Sequence, residues 1–268
     1  MFFRFYDHPG VHLPPAQQAV LRRELLEIAR ASMNPVPDYQ CLSSSADALD
    51  DKLIVVAYID SADSERSQIP RAVAFTSALF LDVPAVAHPV LHAGLTVAIP
   101  ALRRTGIVAQ LFVALYQNMI PCHPHGFWVT TLAAVLSSLV KAEKMLCNTH
   151  PAPPHRRLGM RSTGPQEAHL AIARAISERH RAALLISPTA EWDEAQFVFR
   201  GSLSWDAALC FQKDVDDVRF WHRDKSSNEF FHQLLRPGMG DEVLHVGFAN
   251  VEKLGKLFGG RQRRETKL

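Results

Sequence analysis

Residues 98–111 read AIPALRRTGIVAQL: two arginines and one glycine set between a proline-ended apolar run and a second apolar run. Where a strand turns into a helix, the first helical N–H groups have no intrahelical acceptor, and the helix dipole places partial positive charge beside them. That combination suits an anion, phosphate above all. Gly106 allows a positive φ or close approach by a ligand, and Arg103 and Arg104 bring full charges to the same turn. The pattern also has a plainer reading, because strand-to-helix joints often contain glycine and surface arginines are common.

Other residues offer less. The 13 histidines invite a metal site. Yet Cys122, His123 and His125 share one proline-held turn with no carboxylate nearby, and neighbours on a tight loop rarely converge on one tetrahedral ion. The reading is no metal. His92 stands inside an apolar strand, where it could serve as a general base or simply bond to the core backbone. Asp241 and His245 in GDEVLHVGF share a strand face but stand about 13 Å apart, too far for a dyad. With Glu242, they could enter a cleft separately. Trp221 and His222 lie in KDVDDVRFWHRDK, which reads as an exposed helix anchored by one aromatic, and THPAPPH reads as a solvated linker. Neither a G-x-S-x-G elbow nor a G-x-x-x-x-G-K-[ST] loop occurs, so hydrolase and nucleotidase chemistry lack a motif.

The elements that must hold the arginine turn follow from periodicity. Residues 14–33 place Leu21, Leu25, Ile28 and Ala29 on one helical face, with prolines at both limits. KLIVVAYID, RAVAFTSALFL and VLHAGLTVAI read as three strands of an antiparallel meander ended by Pro100. From Val108 to Ile120 the polar residues Gln110, Gln117 and Asn118 form a narrow wet stripe on a buried helix. FWVTTL is a short strand, and the helix after it, over 132–146, turns Leu132, Val135, Leu136, Leu139 and Val140 inward. Strand, buried helix and strand make a parallel crossover beside the meander. Thr163 and Gln166 fit a capping box for a helix running to about His180. AQFVFRG and EVLHVGF are two further strands. The expectation is an α+β fold with a mixed, mostly antiparallel central sheet flanked by helices. A boundary in 148–162 separates a core, 1–160, from an extension, 161–268, that completes the sheet and shapes an acceptor pocket.

AIPALRRTGIVAQL resembles the pyrophosphate-binding segment of the GCN5-related N-acetyltransferase superfamily, where a V-x-P strand end leads into [QR]-x-x-G-x-[GA] at a helix start. Ala98-Ile99-Pro100 takes the strand end and Arg103-Arg104-Thr105-Gly106-Ile107-Val108 the loop. The order of helix, strands, loop, buried helix, FWVTTL and amphipathic helix also resembles that family. The resemblance implies acetyl-CoA or another acyl-CoA, bound in a V-shaped opening between the strand before the loop and the strand after the next helix. It implies that the backbone of Thr96, Val97 and Ala98 pairs with the pantetheine amides. The N–H groups of Arg104, Thr105, Gly106, Ile107, Val108 and Ala109, with Arg103 beside them, would hold the pyrophosphate. The family's asparagine falls on Thr131 and its general-acid tyrosine on Ser138. No carboxylate stands in the strand before the loop, where a base is frequent, and His92 is the nearest titratable group. Val108 takes the place of the motif's last small residue.

Bulk properties narrow the choice. The chain is 47% hydrophobic and 21% charged, a balance suited to a globule with a real core. Its 29 basic and 27 acidic residues leave +2, so no global field recruits nucleic acid or anionic membrane. The four cysteines form no CxxC pair, which points to a reducing compartment. MFFRFYDHPG lacks the design of a secretory signal, and no run approaches the about 18 apolar residues of a spanning helix. The cytoplasm is the expected location, although the final TKL is one change from the peroxisomal SKL. The reading is an acyl-CoA-dependent acyltransferase-like enzyme acting on a small molecule. Two alternatives stay open. One is an enzyme of specialised metabolism that keeps the fold but cyclises or isomerises its substrate in an apolar cleft. The other is a non-catalytic binding protein on the same sheet.

Overall fold

The computed structural model describes residues 1–60, 70–156, 164–203, 214–252 and 254–255. They fall into two compact units, Met1–Leu79 with Ala93–Cys122, and Phe80–His92 with His123–Leu268. Each is built of strands and helices around a mostly antiparallel sheet, the α+β class that the patterning predicts.

In the first unit, strand β1 (Phe2–Asp7) precedes helices α1 (Pro9–His12) and α2 (Pro15–Arg30). Strand β2 (Leu53–Ile59) pairs antiparallel with β1, from Phe2 opposite Tyr58 to Asp7 opposite Leu53. Strand β3 (Arg71–Leu81) flanks β2 on its other side, also antiparallel, and β4 (Val90–Ala98) lies next to β3. Residues 53–58 of β2 are all buried, which is why the run is continuously apolar rather than alternating. Leu21, Leu25, Ile28 and Ala29 of α2 cluster with Ile54, Val56, Tyr58, Phe75 and Val97, as their spacing predicts. Helix α3 (Ile107–Met119) buries Ile107, Leu111, Leu115, Tyr116 and Met119 and packs on β2 and β1. Gln117 and Asn118 are exposed and Gln110 half-buried. Strand β1 was not among the expected elements. Its aromatics are half-buried on both faces, so FFRFYD carries no clean alternation to read.

In the second unit, β5 (Phe127–Ala133) is followed by α4 (Leu136–Met145) and β6 (Cys147–His150). Helix α5 (Glu167–Ala175) passes through a π turn (Ile176–His180) into α6 (Arg181–Leu184). Then come β7 (Glu191–Asp193), β8 (Val198–Arg200), α7 (Lys225–Leu234) and β9 (Glu242–Ala249). The order is β5-β9-β8-β7, with β6 also on β9. The first residues of β4, up to His92, belong to this unit and run beside β5: the Trp128 N–H donates to the Pro89 carbonyl at 2.8 Å, and His92 meets Thr130 two residues on. Their parallel course fits the predicted crossover. All seven residues of β5 pair antiparallel with β9, from Phe127 opposite Ala249 to Ala133 opposite Val243.

Several expectations need correction here. Leu132 and Ala133 belong to β5, because pairing with Leu244 and Val243 holds them in the strand, and α4 starts only at Leu136. KDVDDVRFWHRDK is not a helix. Asp217 caps a 3-10 turn at Val218–Phe220, Trp221 is extended with its indole N–H on the Val215 carbonyl, and Asp224 caps α7 by accepting from the Ser227 N–H. THPAPPH is not a solvated linker throughout: His150 closes β6, is buried, and meets the Phe197 ring at 4.4 Å. The capping box of α5 is formed by Gln166 and His169. Thr163 lies outside the described residues, as do Cys210 and the C-terminal TKL.

Helices α4 and α7 cover one face of β5 and β9 with Leu136, Leu139, Val140, Phe231 and Leu235. His245 projects into this layer, fully buried, with its ring 6.0 Å from that of Phe231. Burial, reinforced by His150 and His169, pushes its pKa down to about 3. An unfolded histidine titrates near 6.5, so between these values the unfolded chain binds the extra proton. The stability that neutral His245 preserves is therefore complete above about pH 6.5 and lost as pH falls towards 3; at about 1.4 kcal/mol per pKa unit the span is worth a few kcal/mol. Urea melts from pH 7 to pH 4 should show a steep acid limb that His245→Leu flattens. An unchanged limb in the variant would show that His245 does not carry it.

Candidate functional site

The turn at Arg103 is assembled by local hydrogen bonding. A 3-10 turn at Pro100–Leu102 ends β4, with the Leu102 N–H on the Ile99 carbonyl and the Arg103 N–H on the Pro100 carbonyl. Arg104 takes φ +67° and Gly106 φ +90°, two left-handed residues that swing the chain into α3. Between them, the Thr105 hydroxyl donates to the Leu102 carbonyl at 2.7 Å and tightens the loop. A Cβ built on Gly106 would meet nothing within 4 Å. Glycine is therefore favoured by its φ, and the space beside it is open.

No described residue caps the head of α3. Its first internal bond runs from the Gln110 N–H to the Gly106 carbonyl at 3.2 Å. Among the described residues, the N–H groups of Ile107, Val108 and Ala109 have no acceptor. Ile107 is buried and anchors the helix start, Val108 and Ala109 are half-buried, and Arg103, Arg104, Thr105 and Gly106 are exposed. Arg103 donates to the Ser32 carbonyl at 3.2 Å, at the C-terminal end of α2, where helix carbonyls favour a cation. Arg104 makes no ion pair or side-chain hydrogen bond among the described residues. The strand end is tied to the same place: the Ser32 hydroxyl donates to the Ala98 carbonyl at 2.9 Å. Val97 packs into the α2 cluster, and the Thr96 hydroxyl pairs with that of Thr76 at 2.7 Å.

The other candidate residues lie in the second unit. His92 is 2% exposed, with Nδ1 2.9 Å from the buried Thr130 hydroxyl. Thr131 is half-buried, opposite His245 in register, and its hydroxyl is shielded without a partner among the described residues. Ser138 is exposed in the first turn of α4. Burial pushes the Glu242 carboxyl up to about 7, while the Ser202 hydroxyl donates to it at 2.7 Å. Asp241 stays ionised. Its burial is outweighed by bonds from Arg236, the Gly201 N–H and Arg200, which bring it to about 2. An Asp241–His245 dyad does not form. Among the described residues, no three His, Cys, Asp or Glu side chains converge on a common point.

Sequence reasoning singled out Thr96 to Ala98, which end β4, and Arg103 to Ala109, which lead from the 3-10 turn into α3, all in the first unit. It missed Ser32, which joins Arg103 to Ala98. Serine after a helix end is common, and nothing near Ser32 in sequence marks its partner 66 residues away.

No protein-family model and no curated protein matches the sequence. Among solved structures, the chain is similar to an aminoglycoside 6'-N-acetyltransferase complexed with coenzyme A, at 15% identity over 50% of this chain and 62% of that one, with TM-score 0.34. It is also similar to NAA60 of Arabidopsis thaliana in complex with a bisubstrate analogue, at 11% identity over 55% of this chain and 86% of that one, with TM-score 0.35. Tetrahymena GCN5 gives 11% identity over 60% and 89%, again with TM-score 0.35. The chain thus spans under two thirds of the first neighbour's length. These are distant likenesses, and the chemistry of the site is argued from its own geometry.

Because Gly106 holds φ +90°, any side chain there is strained even in open space. Gly106→Ala should cost roughly 1 kcal/mol, about 2–4 °C in melting temperature for a chain of this size. Gly164→Ala, also in open space but without a positive φ, is the control and should shift melting by less. Equal shifts would contradict the assigned backbone.

Proposed function

We propose that the chain is an acyl-CoA-dependent acyltransferase of the GCN5-related type, transferring an acetyl or other acyl group to a small molecule. The observation that carries this reading is the open head of α3. Uncommitted amides, a left-handed glycine facing free space and two arginines make a donor set suited to a diphosphate.

In this reading the N–H groups of Arg104, Gly106, Ile107, Val108 and Ala109 bind the pyrophosphate, the Thr105 N–H being held by the Leu102 carbonyl, and Arg104 supplies a charge not committed to a described protein partner. Arg103, held by Ser32, fixes the entrance to the loop. The strand end from Thr96 to Ala98 offers backbone groups to the amide arm of the coenzyme, and Ser32 sets the direction of the Ala98 carbonyl. Bound acyl-CoA would supply a thioester: the acceptor's nucleophile adds to the carbonyl, the C–S bond breaks, and the thiol leaves with the proton that the acceptor gives up. Rate then comes from orientation and from amide donors directed at the carbonyl oxygen. His92 is the candidate base, though its burial and its bond to Thr130 favour orientation over free exchange of protons with solvent. By sequence position alone, Ser138 takes the family's acid position and Thr131 its asparagine position. Residues 1–160 form the coenzyme-binding core and 161–268 the acceptor side, in a reducing, cytoplasmic setting.

Calorimetric titration of the full chain with CoA tests the reading. It expects micromolar binding that Gly106→Glu abolishes, because a carboxylate then occupies the anion's place. Millimolar or absent binding by the native chain, or binding that survives Gly106→Glu, would overturn it.

A further inference from the structure

We propose that Gln40 is a positioning residue that sets the course of β4 into the anion turn, an inference that rests on the coenzyme reading above. It starts from the register of β3 and β4. The Ile99 N–H donates to the Val73 carbonyl at 3.0 Å, and the Thr96 and Thr76 hydroxyls meet across the strands. An antiparallel ladder that bonds at Ile99 and Val73 bonds again every second residue, so Leu95 stands opposite Ser77 in a bonded pair. The Leu95 N–H should therefore donate to the Ser77 carbonyl. It has an acceptor outside the sheet, the Gln40 side-chain oxygen, at 2.8 Å.

Two further observations show how this contact is built. Gln40 takes φ +50°, a left-handed conformation that a residue with a side chain rarely adopts. It is held there because the 3-10 turn it opens, Gln40–Leu42, buries Cys41 and Leu42 in the α2 cluster. On the strand, the neighbouring residue is Gly94. A Cβ at that position would lie 2.7 Å from the Gln40 side-chain oxygen and 3.3 Å from the Ser77 carbonyl. The glycine leaves the room that the glutamine amide fills.

The consequence reaches the loop. Gln40 holds β4 at Leu95, and Ser32 holds it at the Ala98 carbonyl, both from the connection between α2 and β2. The stretch between these two pins is the one assigned to the coenzyme's amide arm, and the loop of Arg103 and Gly106 begins directly after it. Gln40 touches neither loop nor coenzyme in this scheme. It acts through β4.

The test uses the full chain with Gln40→Leu, which removes the acceptor, Gln40→Glu, which keeps one, and Gly94→Ala, which displaces the amide. Gln40→Leu and Gly94→Ala should each weaken CoA binding by about tenfold, and each should lower the melting temperature by about 2–4 °C because the same bond holds β4 in the free chain. Their double variant should be no worse than either alone, because both remove the same contact. Gln40→Glu should stay within about threefold of the native affinity. Single variants that bind like the native chain, or losses that add in the double, would overturn the proposal. Should the native chain fail to bind CoA, the coenzyme reading falls by itself, and the role of Gln40 is read from backbone amide shifts of the free protein. Gln40→Leu must then move resonances from Gly94 through Gly106; changes confined to the immediate neighbours of Gln40 and Leu95 would overturn it.

Discussion

A helix cannot satisfy its own first amides, and in this protein nothing else in the described structure satisfies those of α3. Ile107, Val108 and Ala109 present N–H groups that neither a capping side chain nor a neighbouring carbonyl accepts. The body of the helix is committed elsewhere, because Leu111, Leu115, Tyr116 and Met119 are buried. The helix therefore cannot turn away to hide its end. None of the described residues meets those amides, and the adjacent Arg103 and Arg104 suit an anion there. Each other feature of the first unit bears on how this end is presented: the 3-10 turn that stops β4, the left-handed Arg104 and Gly106, and the bonds from Ser32 that tie both strand and arginine to α2.

The second unit shows the opposite treatment of polar groups. Asp241 is buried but surrounded by two guanidiniums and two backbone N–H groups, a fully answered charge that locks β8, β9 and the end of α7 together. His92 is answered by Thr130. His245 and Thr131 are neighbours across β5 and β9, and neither side chain has a partner among the described residues. Buried polar atoms are normally paired with protein or ordered water, so this pair carries a cost. Its cost appears in the strongly lowered pKa of His245.

How much of this could be read from the residues differs between elements for physical reasons. Helix α2 and the buried strand β2 were legible because one face, or both, meets the core and the sequence repeats that demand. Turn 98–111 was legible because proline, glycine and paired arginine are types whose backbone and charge properties act locally. Leu132 and Ala133 were misplaced because short apolar runs suit a strand or a helix equally, and pairing with β9 decided the matter. The charged segment before α7 misled for a similar reason: Asp217 and Asp224 act as caps, cutting the segment into a turn and a helix start. Gln40 and Ser32 were invisible, since their meaning lies in partners 55 and 66 residues away. Composition says nothing about a hydrogen bond across that distance.

The account stands or falls on whether the head of α3 receives the coenzyme's diphosphate. Amide-resolved NMR of the native chain during titration with CoA reads this at the atoms concerned. The account predicts large, saturable shifts at Arg104, Gly106, Ile107, Val108 and Ala109, repeated by a diphosphate fragment at higher concentration. Saturation by CoA with those five amides unmoved, and shifts elsewhere, would contradict it.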